Sequence, residues 1–117
     1  MPKENLTKKH CVPCEGGMMP MGDTRVRKLL REIPGWRLTP DGTAIEQTFT
    51  FPDFAHALAF VNRVGNIAEA ENHHPELTLS WGEVRVSLTT HAIGGLSEND
   101  FILATKIQQL SLPGQKV

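Results

Sequence analysis

The chain has 117 residues, of which 39% are hydrophobic, and this is enough for one domain with a modest core. Its 12 basic and 13 acidic residues give a formal net charge of -1, which offers no basic footprint for direct binding of nucleic acid. No uncharged apolar stretch approaches the roughly eighteen residues that a membrane-spanning helix needs, so we expect a soluble, cytoplasmic protein without a membrane partner.

Residues 1–22 have neither helical nor strand periodicity and are predicted to form a mobile N-terminal extension. This segment carries Cys11 and Cys14, which are too close in sequence to hold a fold together by a disulfide. With His10 beside them they could bind zinc or act as a redox dithiol. Zinc would need a second pair of ligands, however, and a redox motif expects a strand before it and a helix after it. The role of the two cysteines therefore stays open.

The first predicted helix begins at Asp23, which can cap it together with Thr24. Apolar residues recur behind this cap at helical spacing, and Pro34 ends the pattern. The next two apolar runs, at residues 36–38 and 44–51, flank a Pro-Asp-Gly sequence that is typical of a turn. They are predicted to pair as a hairpin.

The longest predicted helix spans residues 53–71. One apolar stripe is expected along it, made of Phe54, Ala57, Leu58, Val61, Val64 and Ala68. Pro75 disfavours the helical conformation for the residue before it, so the helix should end before His74. The chain should then be extended where it leaves His74.

A second hairpin and a last helix complete the predicted domain. The hairpin follows from two alternating apolar patterns, Leu77, Leu79 and Trp81 before Gly82, and Val84, Val86 and Leu88 after it. The last helix begins at the capping-box-like sequence Ser97-Glu98-Asn99-Asp100. The order predicts one α+β domain over residues 23–117, a four-stranded antiparallel sheet with three helices packed on one face. An exposed edge strand in so small a domain also predicts a homo-oligomer.

Three of the five histidines, His73, His74 and His91, mark the candidate site. Histidine ordinarily titrates near pH 6.5, so such a group favours acid-base chemistry. Neighbours such as His73 and His74 point apart on a strand and do not face each other on a helix, so a shared metal ion is disfavoured. His91 has the same parity as the polar residues of the preceding strand, so its side chain should point away from the core face. On the residues alone, local structural roles for the three histidines stay open beside catalysis.

Two carboxylates accompany the histidines. Glu69 is predicted near the C-terminal end of the long helix, where a negative charge opposes the helix dipole unless a partner compensates. It is therefore a candidate to orient a histidine. Asp100 stands three positions after Ser97, where a carboxylate commonly accepts from N–H groups of the first turn, and capping is its simplest role.

Two segments carry a resemblance to a known family. They are Ala68-Glu69-Ala70-Glu71-Asn72-His73-His74-Pro75-Glu76 and Thr90-His91-Ala92-Ile93-Gly94-Gly95-Leu96-Ser97-Glu98-Asn99-Asp100. In this order and at this separation they resemble pterin-4a-carbinolamine dehydratases, and the match extends over about residues 29–110. The resemblance implies the conversion of a 4a-hydroxy-tetrahydropterin into the quinonoid dihydropterin, in tetrahydropterin recycling, with no metal and no organic cofactor.

The resemblance also implies roles for single residues. It makes His73, His74 and His91 the catalytic residues, and Glu69 and Asp100 the substrate-binding ones. A homodimer or homotetramer is expected, and an aromatic amino acid hydroxylase is a candidate partner in the same pathway. The family includes dimerisation cofactors that act as transcriptional coactivators and relatives that act as assembly chaperones, so a non-catalytic binding role is the alternative.

Overall fold

The computed structural model describes residue 6, residues 9–11 and residues 19–114 of the chain, with side chains as far as residue 110. Three helices and four strands are found in these ranges: α1 (Asp23–Leu30), β1 (Arg37–Leu38), β2 (Ile45–Thr50), α2 (Phe54–Glu71), β3 (Glu76–Ser80), β4 (Glu83–Leu88) and α3 (Glu98–Gly114). The predicted α+β fold and its order α-β-β-α-β-β-α are confirmed. None of the helices in the described ranges is long and apolar enough to cross a membrane.

The four strands form one antiparallel sheet in the order β1-β2-β4-β3. Both predicted hairpins are present, and β2 joins them by pairing with β4. The first residue of β3, Glu76, lies opposite Ser87 near the end of β4. Because neighbouring antiparallel strands run in opposite directions, the segment that enters β3 and the segment that leaves β4 lie at the same end of the sheet. These are the two segments that carry the histidines.

The core lies between one face of the sheet and the helices. In β4 the side chains of Val84, Val86 and Leu88 are fully buried, whereas Arg85 between them is exposed. This alternation is the two-residue period expected of a strand with one covered face. Helix α2 packs against α3, β3 and β4. The sheet and these two helices therefore pack together beneath the loops at its end.

The predicted apolar stripe of α2 is wrong in part. Phe54 and Leu58 are 43% and 40% exposed, although the predicted members Ala57, Val64 and Ala68 are buried. Phe60, which the stripe omitted, is 3% exposed, and its ring centroid lies 4.8 Å from that of Phe49. The buried face of α2 is therefore rotated toward Phe60, whose ring packs against Phe49 of β2.

Two further expectations are corrected at the ends of elements. Helix α1 begins at Asp23, but Gly22 is its N-cap residue and no side chain caps it, so Asp23 lies in the first turn instead. Trp81 does not continue the alternation of β3, because the strand ends at Ser80 and the indole sits in the turn with 68% of its surface exposed. The apolar character of a residue next to a turn is a poor guide to its burial.

Candidate active site

The end of helix α2 determines where the histidine pair lies. Asn72 is the C-cap residue and adopts the left-handed conformation, with φ 53° and ψ 41°. Asparagine tolerates this conformation better than most residues, and here it ends the helix. The N–H groups of Asn72 and His73 both donate to the carbonyl of Ala68. The helix thus ends before His74, as predicted, and the chain crosses to β3 through the two histidines.

The ring of His73 is held by a buried carboxylate. Its side chain is 12% exposed, and Nε2 lies 2.6 Å from Oδ1 of Asp100, whose side chain is fully buried. The other carboxylate oxygen, Oδ2, accepts from Thr90 Oγ1 at 2.8 Å and from the backbone N–H of Ser97 at 3.0 Å. The predicted capping contact is therefore present. The same carboxylate also ties the His73 segment to Thr90, the residue before His91.

The second histidine of the pair faces solvent and has its own carboxylate. His74 Nε2 lies 2.5 Å from Oε2 of Glu69, which stands in the last turn of α2. The two side chains are 54% and 78% exposed. The imidazole is thus the partner that the negative charge at this helix end needs. Because both groups are open to solvent, this pair is accessible to a ligand from the surface.

His91 lies in a closed loop after β4. The strand ends at Leu88, and His91 begins a 3-10 turn, so its expected place at the end of the strand is wrong, although its side chain is exposed as expected. The loop is closed by Thr90, whose backbone N–H donates to the carbonyl of Gly95 at 2.9 Å. Within the described ranges, no side-chain hydrogen bond holds the His91 ring. The imidazole is therefore presented to solvent on a fixed backbone.

Thr90 is a site residue without a predicted role, although the sequence contains a signal for it. It continues the parity of Val84, Val86 and Leu88, and like them it is buried, with 4% of its surface exposed. A polar residue on a core-facing parity needs a hydrogen-bond partner. Asp100 is that partner, and a second contact joins Thr90 Oγ1 to Ser97 Oγ at 2.8 Å.

Glu71 is the other residue for which the sequence suggested no role. Its side chain is 7% exposed; Oε1 accepts from the backbone N–H of Cys11 at 2.7 Å, and Oε2 lies 3.0 Å from His10 Nδ1 and 3.6 Å from Lys106 Nζ. Burial alone would raise the pKa of the Glu71 carboxyl, but the hydrogen bonds from Cys11 and His10 and the charge of Lys106 outweigh it and lower the pKa. Glu71 is therefore a largely covered carboxylate that accepts hydrogen bonds from the N-terminal segment.

The same surroundings act on the thiol of Cys11. Burial, followed by repulsion from the carboxylates of Glu71 and Asp100, raises the pKa of Cys11 to about 12. The group is thus a neutral thiol at physiological pH and a weak nucleophile. Cys14 lies outside the described residues, as does any pairing of the two. In the part of the chain that is described, no three His, Cys, Asp or Glu side chains converge on a point where a metal ion could bind.

Comparison with known proteins identifies the family of the chain. A family model described as pterin 4 alpha carbinolamine dehydratase matches residues 19–110. A relative from Chlorobaculum tepidum is 52% identical over 107 residues, which are 90% of this chain and 96% of the relative. One from Methylococcus capsulatus is 45% identical over 92% of this chain and 94% of the relative. The names of both assign them provisionally to pterin-4-alpha-carbinolamine dehydratase.

Two solved structures are similar as well. A protein from Brucella melitensis, described as a transcriptional coactivator/pterin dehydratase, has a TM-score of 0.75 and 31% identity, covering 78% of this chain and 97% of its own. A pterin dehydratase-like protein described as a RuBisCO assembly factor of the alpha-carboxysome has a TM-score of 0.57 and 19% identity, covering 66% of this chain and 89% of its own, and it shares the fold alone. From the extent of the family match and the identity of its relatives, the chain belongs to the pterin-4a-carbinolamine dehydratase family.

Proposed function

We propose that the protein is a hydro-lyase that removes water from a 4a-hydroxy-tetrahydropterin and yields the quinonoid dihydropterin, in tetrahydropterin recycling. Family membership supports the substrate class. The single observation that carries the mechanism is the bridge from His73 through Asp100 to Thr90, which joins the two histidine-bearing segments. The bridge supports a mechanism in which acid-base groups from distant parts of the sequence act together at one end of the sheet.

The reaction needs two proton transfers. The C4a–O bond breaks when a proton reaches the hydroxyl, which then leaves as water. The lone pair of N5 forms the N5=C4a double bond, and the proton on N5 must be removed. One imidazolium and one neutral imidazole supply both transfers, so that the pair of rings exchanges its protonation states in each turnover. The reaction involves no net oxidation or reduction.

In the proposed assignment, His74 and His91 exchange protons with the 4a-hydroxyl and N5. Their exposure supports this role, because a group that acts on a ligand must be reachable from outside. His73 assists by positioning, since its ring is held by Asp100. We assign Asp100 to substrate binding only through His73, because its carboxylate is fully buried and already accepts from protein groups.

Glu69 is proposed to hydrogen-bond the pterin ring. A carboxylate accepts several hydrogen bonds, so the contact with His74 leaves capacity for an N–H group of the substrate. The carboxylate would then hold His74 and the pterin in one arrangement. This dual contact explains why a costly negative charge stands at the C-terminal end of α2.

The proposal also includes the oligomeric state of the protein, its location and the source of its substrate. Strands β1 and β3 are the two edges of the sheet in the described chain, and an exposed edge supports assembly into a homodimer or homotetramer. A cytoplasmic location and an aromatic amino acid hydroxylase as the source of the substrate remain predictions. Size-exclusion chromatography with light scattering would measure the oligomer directly.

The test is a stopped-flow measurement of the dehydration of chemically generated 4a-hydroxy-tetrahydropterin. We expect the wild type to exceed the uncatalysed rate and His74→Ala to lose most of that excess, about 100-fold or more. The matched control is His56→Ala, which removes an exposed imidazole at the other end of α2. Equal rates for the wild type and the uncatalysed reaction would leave the non-catalytic binding role as the explanation of the fold.

The pH dependence gives a second readout of the same proposal. Two imidazoles that act in opposite protonation states predict a rate that peaks near neutrality and falls on both sides. A flat profile between about pH 5.5 and 8.5 would contradict paired histidine catalysis.

A further inference from the structure

Two hydroxyl groups lie in series behind the Asp100 oxygen that does not contact His73. Thr90 Oγ1 lies 2.8 Å from Asp100 Oδ2 and also 2.8 Å from Ser97 Oγ. Ser97 Oγ in turn accepts from the backbone N–H of Asn99 at 3.2 Å. Thr90 is 4% exposed and Asp100 is fully buried, so solvent has little access to the contact between them.

The hydrogens of these groups can point in only one direction. Asp100 Oδ2 already accepts from the backbone N–H of Ser97, and a carboxylate has no hydrogen to donate. The single hydrogen of the Thr90 hydroxyl must therefore go to Asp100. In the contact between Thr90 and Ser97, the donor must then be Ser97, because Thr90 Oγ1 has only lone pairs left to offer. We call Ser97 Oγ, Thr90 Oγ1 and Asp100 Oδ2, in this order of donation, the hydroxyl network.

The two donors to Asp100 Oδ2 come from different segments. The N–H of Ser97 is a local donor at the start of α3, three positions before Asp100. Thr90 lies ten positions before Asp100 and provides the one side-chain donor to this oxygen among the residues that the structure describes. One donor alone leaves a carboxylate free to turn about that bond, whereas a second donor from another direction fixes its plane. Hydrogen bonds in series also polarise and strengthen one another in a buried site.

We infer that Thr90 is a positioning residue for the proposed dehydration, acting through Asp100 on the ring of His73, and that Ser97 orients the Thr90 hydroxyl. With the plane of the carboxylate fixed, Oδ1 stands where it accepts from Nε2 of His73 at 2.6 Å. A neutral ring with its hydrogen on Nε2 keeps its lone pair on Nδ1. Neither hydroxyl contacts the substrate in this scheme. The catalytic consequence rests on the function proposed above, whereas the hold on the His73 ring does not.

The experiment compares full-length variants with the wild type. Thr90→Val removes the hydroxyl and keeps the branched shape, and the extended backbone of Thr90, with φ -112° and ψ 96°, suits valine. The hydrogen bonds between the backbones of Thr90 and Gly95 do not involve the side chain and should persist. Thr90→Ser keeps the hydroxyl and removes only the methyl group. The matched control is Thr105→Val, which removes a hydroxyl that donates to the carbonyl of Phe101 within α3.

The first readout does not depend on activity. In protein labelled with nitrogen-15 histidine, NMR measures how fast the hydrogen on Nε2 of His73 exchanges with water. The signal is identified by its absence in His73→Gln. Urea unfolding gives the stability of each variant. Because both valine variants lose one hydroxyl hydrogen bond, both should be less stable than the wild type to a similar extent.

We expect exchange of the Nε2 hydrogen to rise by roughly 10-fold in Thr90→Val, because the contact between His73 and Asp100 opens more often. A smaller rise is expected in Ser97→Ala, in which Thr90 can still donate but is no longer oriented. Thr90→Ser and Thr105→Val should stay within about 2-fold of the wild type.

Steady-state kinetics give the second readout. In Thr90→Val, kcat should fall by about 10-fold with KM within about 2-fold, because Thr90 acts through the His73 ring and does not alter ground-state binding of the pterin. Recovery of kcat in Thr90→Ser would show that the hydroxyl is responsible and that the packing of the methyl group is not.

Four results would overturn the inference. Unchanged exchange of the Nε2 hydrogen in Thr90→Val would mean that the hydroxyl network does not hold the ring. An equal rise in Thr105→Val would attribute the effect to stability alone. A defect in Thr90→Ser as large as that in Thr90→Val would assign it to packing. Faster exchange with unchanged kcat would remove the positioning role. If the wild type itself shows no dehydration, the proposed function fails, while the exchange of the Nε2 hydrogen still decides whether the network holds His73.

Discussion

Replacing Asp100 by asparagine perturbs the site with almost no change of shape. The amide oxygen can take the place of Oδ2 and continue to accept from Thr90 and from the N–H of Ser97. The amide NH2 group then faces Nε2 of His73 where Oδ1 stood. A carboxylate only accepts, so it requires a hydrogen on Nε2, whereas an NH2 group only donates and requires a lone pair there. The substitution therefore reverses the favoured tautomer of the His73 ring.

The expected size follows from these contacts. Hydrogen bonds to a charged group contribute about 1.5–3 kcal/mol and neutral ones about 0.5–1.5 kcal/mol, so Asp100→Asn should lower the free energy of unfolding by about 1–2 kcal/mol. Asp100→Ala should cost more, because it removes the acceptor of the partly buried N–H of Ser97 and leaves Thr90 Oγ1 with Ser97 Oγ as its remaining partner, at about 1–3 kcal/mol for a polar group left unpaired. Against a typical total of about 5–15 kcal/mol, the alanine variant loses a large share of the stability.

Three measurements test this reasoning. Urea unfolding gives the two stability differences, and nitrogen-15 NMR of the imidazole identifies the tautomer of His73. Turnover of Asp100→Asn should fall by about 10- to 100-fold. This is less than the fall expected when an acid-base group is removed altogether, because the imidazole of His73 is still present. The role given to the Asp100 bridge would be refuted if His73 kept its hydrogen on Nε2 in Asp100→Asn. It would also be refuted if Asp100→Asn kept full activity with the reversed tautomer of His73.

Four further predictions concern single positions. Because the pKa of Glu71 is lowered in the fold, its stabilisation is present at neutral pH and lost as the pH falls through that pKa. In urea unfolding, Glu71→Gln should therefore be less stable than the wild type by about 1–2 kcal/mol at pH 7, and the difference should shrink as the pH is lowered through that pKa. Glu69→Gln should raise KM more than it lowers kcat, and the reverse pattern in steady-state kinetics would contradict its contact with the pterin. Asn72→Gly should leave the melting temperature unchanged or raise it, because glycine adopts the left-handed C-cap conformation without strain, whereas a fall would dispute that cap. Gly35→Ala should cost about 1–3 kcal/mol in urea unfolding, since φ is 101° and a Cβ would lie 2.7 Å from the side-chain Nε2 of Gln47.

Local patterns in the sequence predict most of the architecture. The turn residues and the two-residue alternation identify both hairpins, and Pro75 places the end of α2 before His74. The fold class follows from this order, because a sheet with one apolar face must be covered by helices. The exposure of His91 follows from parity, although the strand ends earlier than expected. These features depend on neighbours within a few residues.

Features that depend on distant contacts were not predictable in the same way. The rotation of α2 reflects the packing of its Phe60 on Phe49, which belongs to strand β2. The contact of Asp100 with His73 joins residues 27 positions apart. The role of Glu71 depends on an N-terminal segment without any periodic pattern. Of these, only the bridging role left a trace in the sequence, as the polar Thr90 on a core-facing parity.

In the proposed mechanism, imidazoles from two separate segments act on one flat bicyclic ligand. A crystal structure of the protein with a reduced pterin bound tests this directly. We expect a ring nitrogen of His74 and one of His91 within hydrogen-bond reach of the C4a–N5 edge, about 2.6–3.2 Å, or one water further away. A pterin bound elsewhere, or one that contacts His74 while His91 points away from it, would contradict the account.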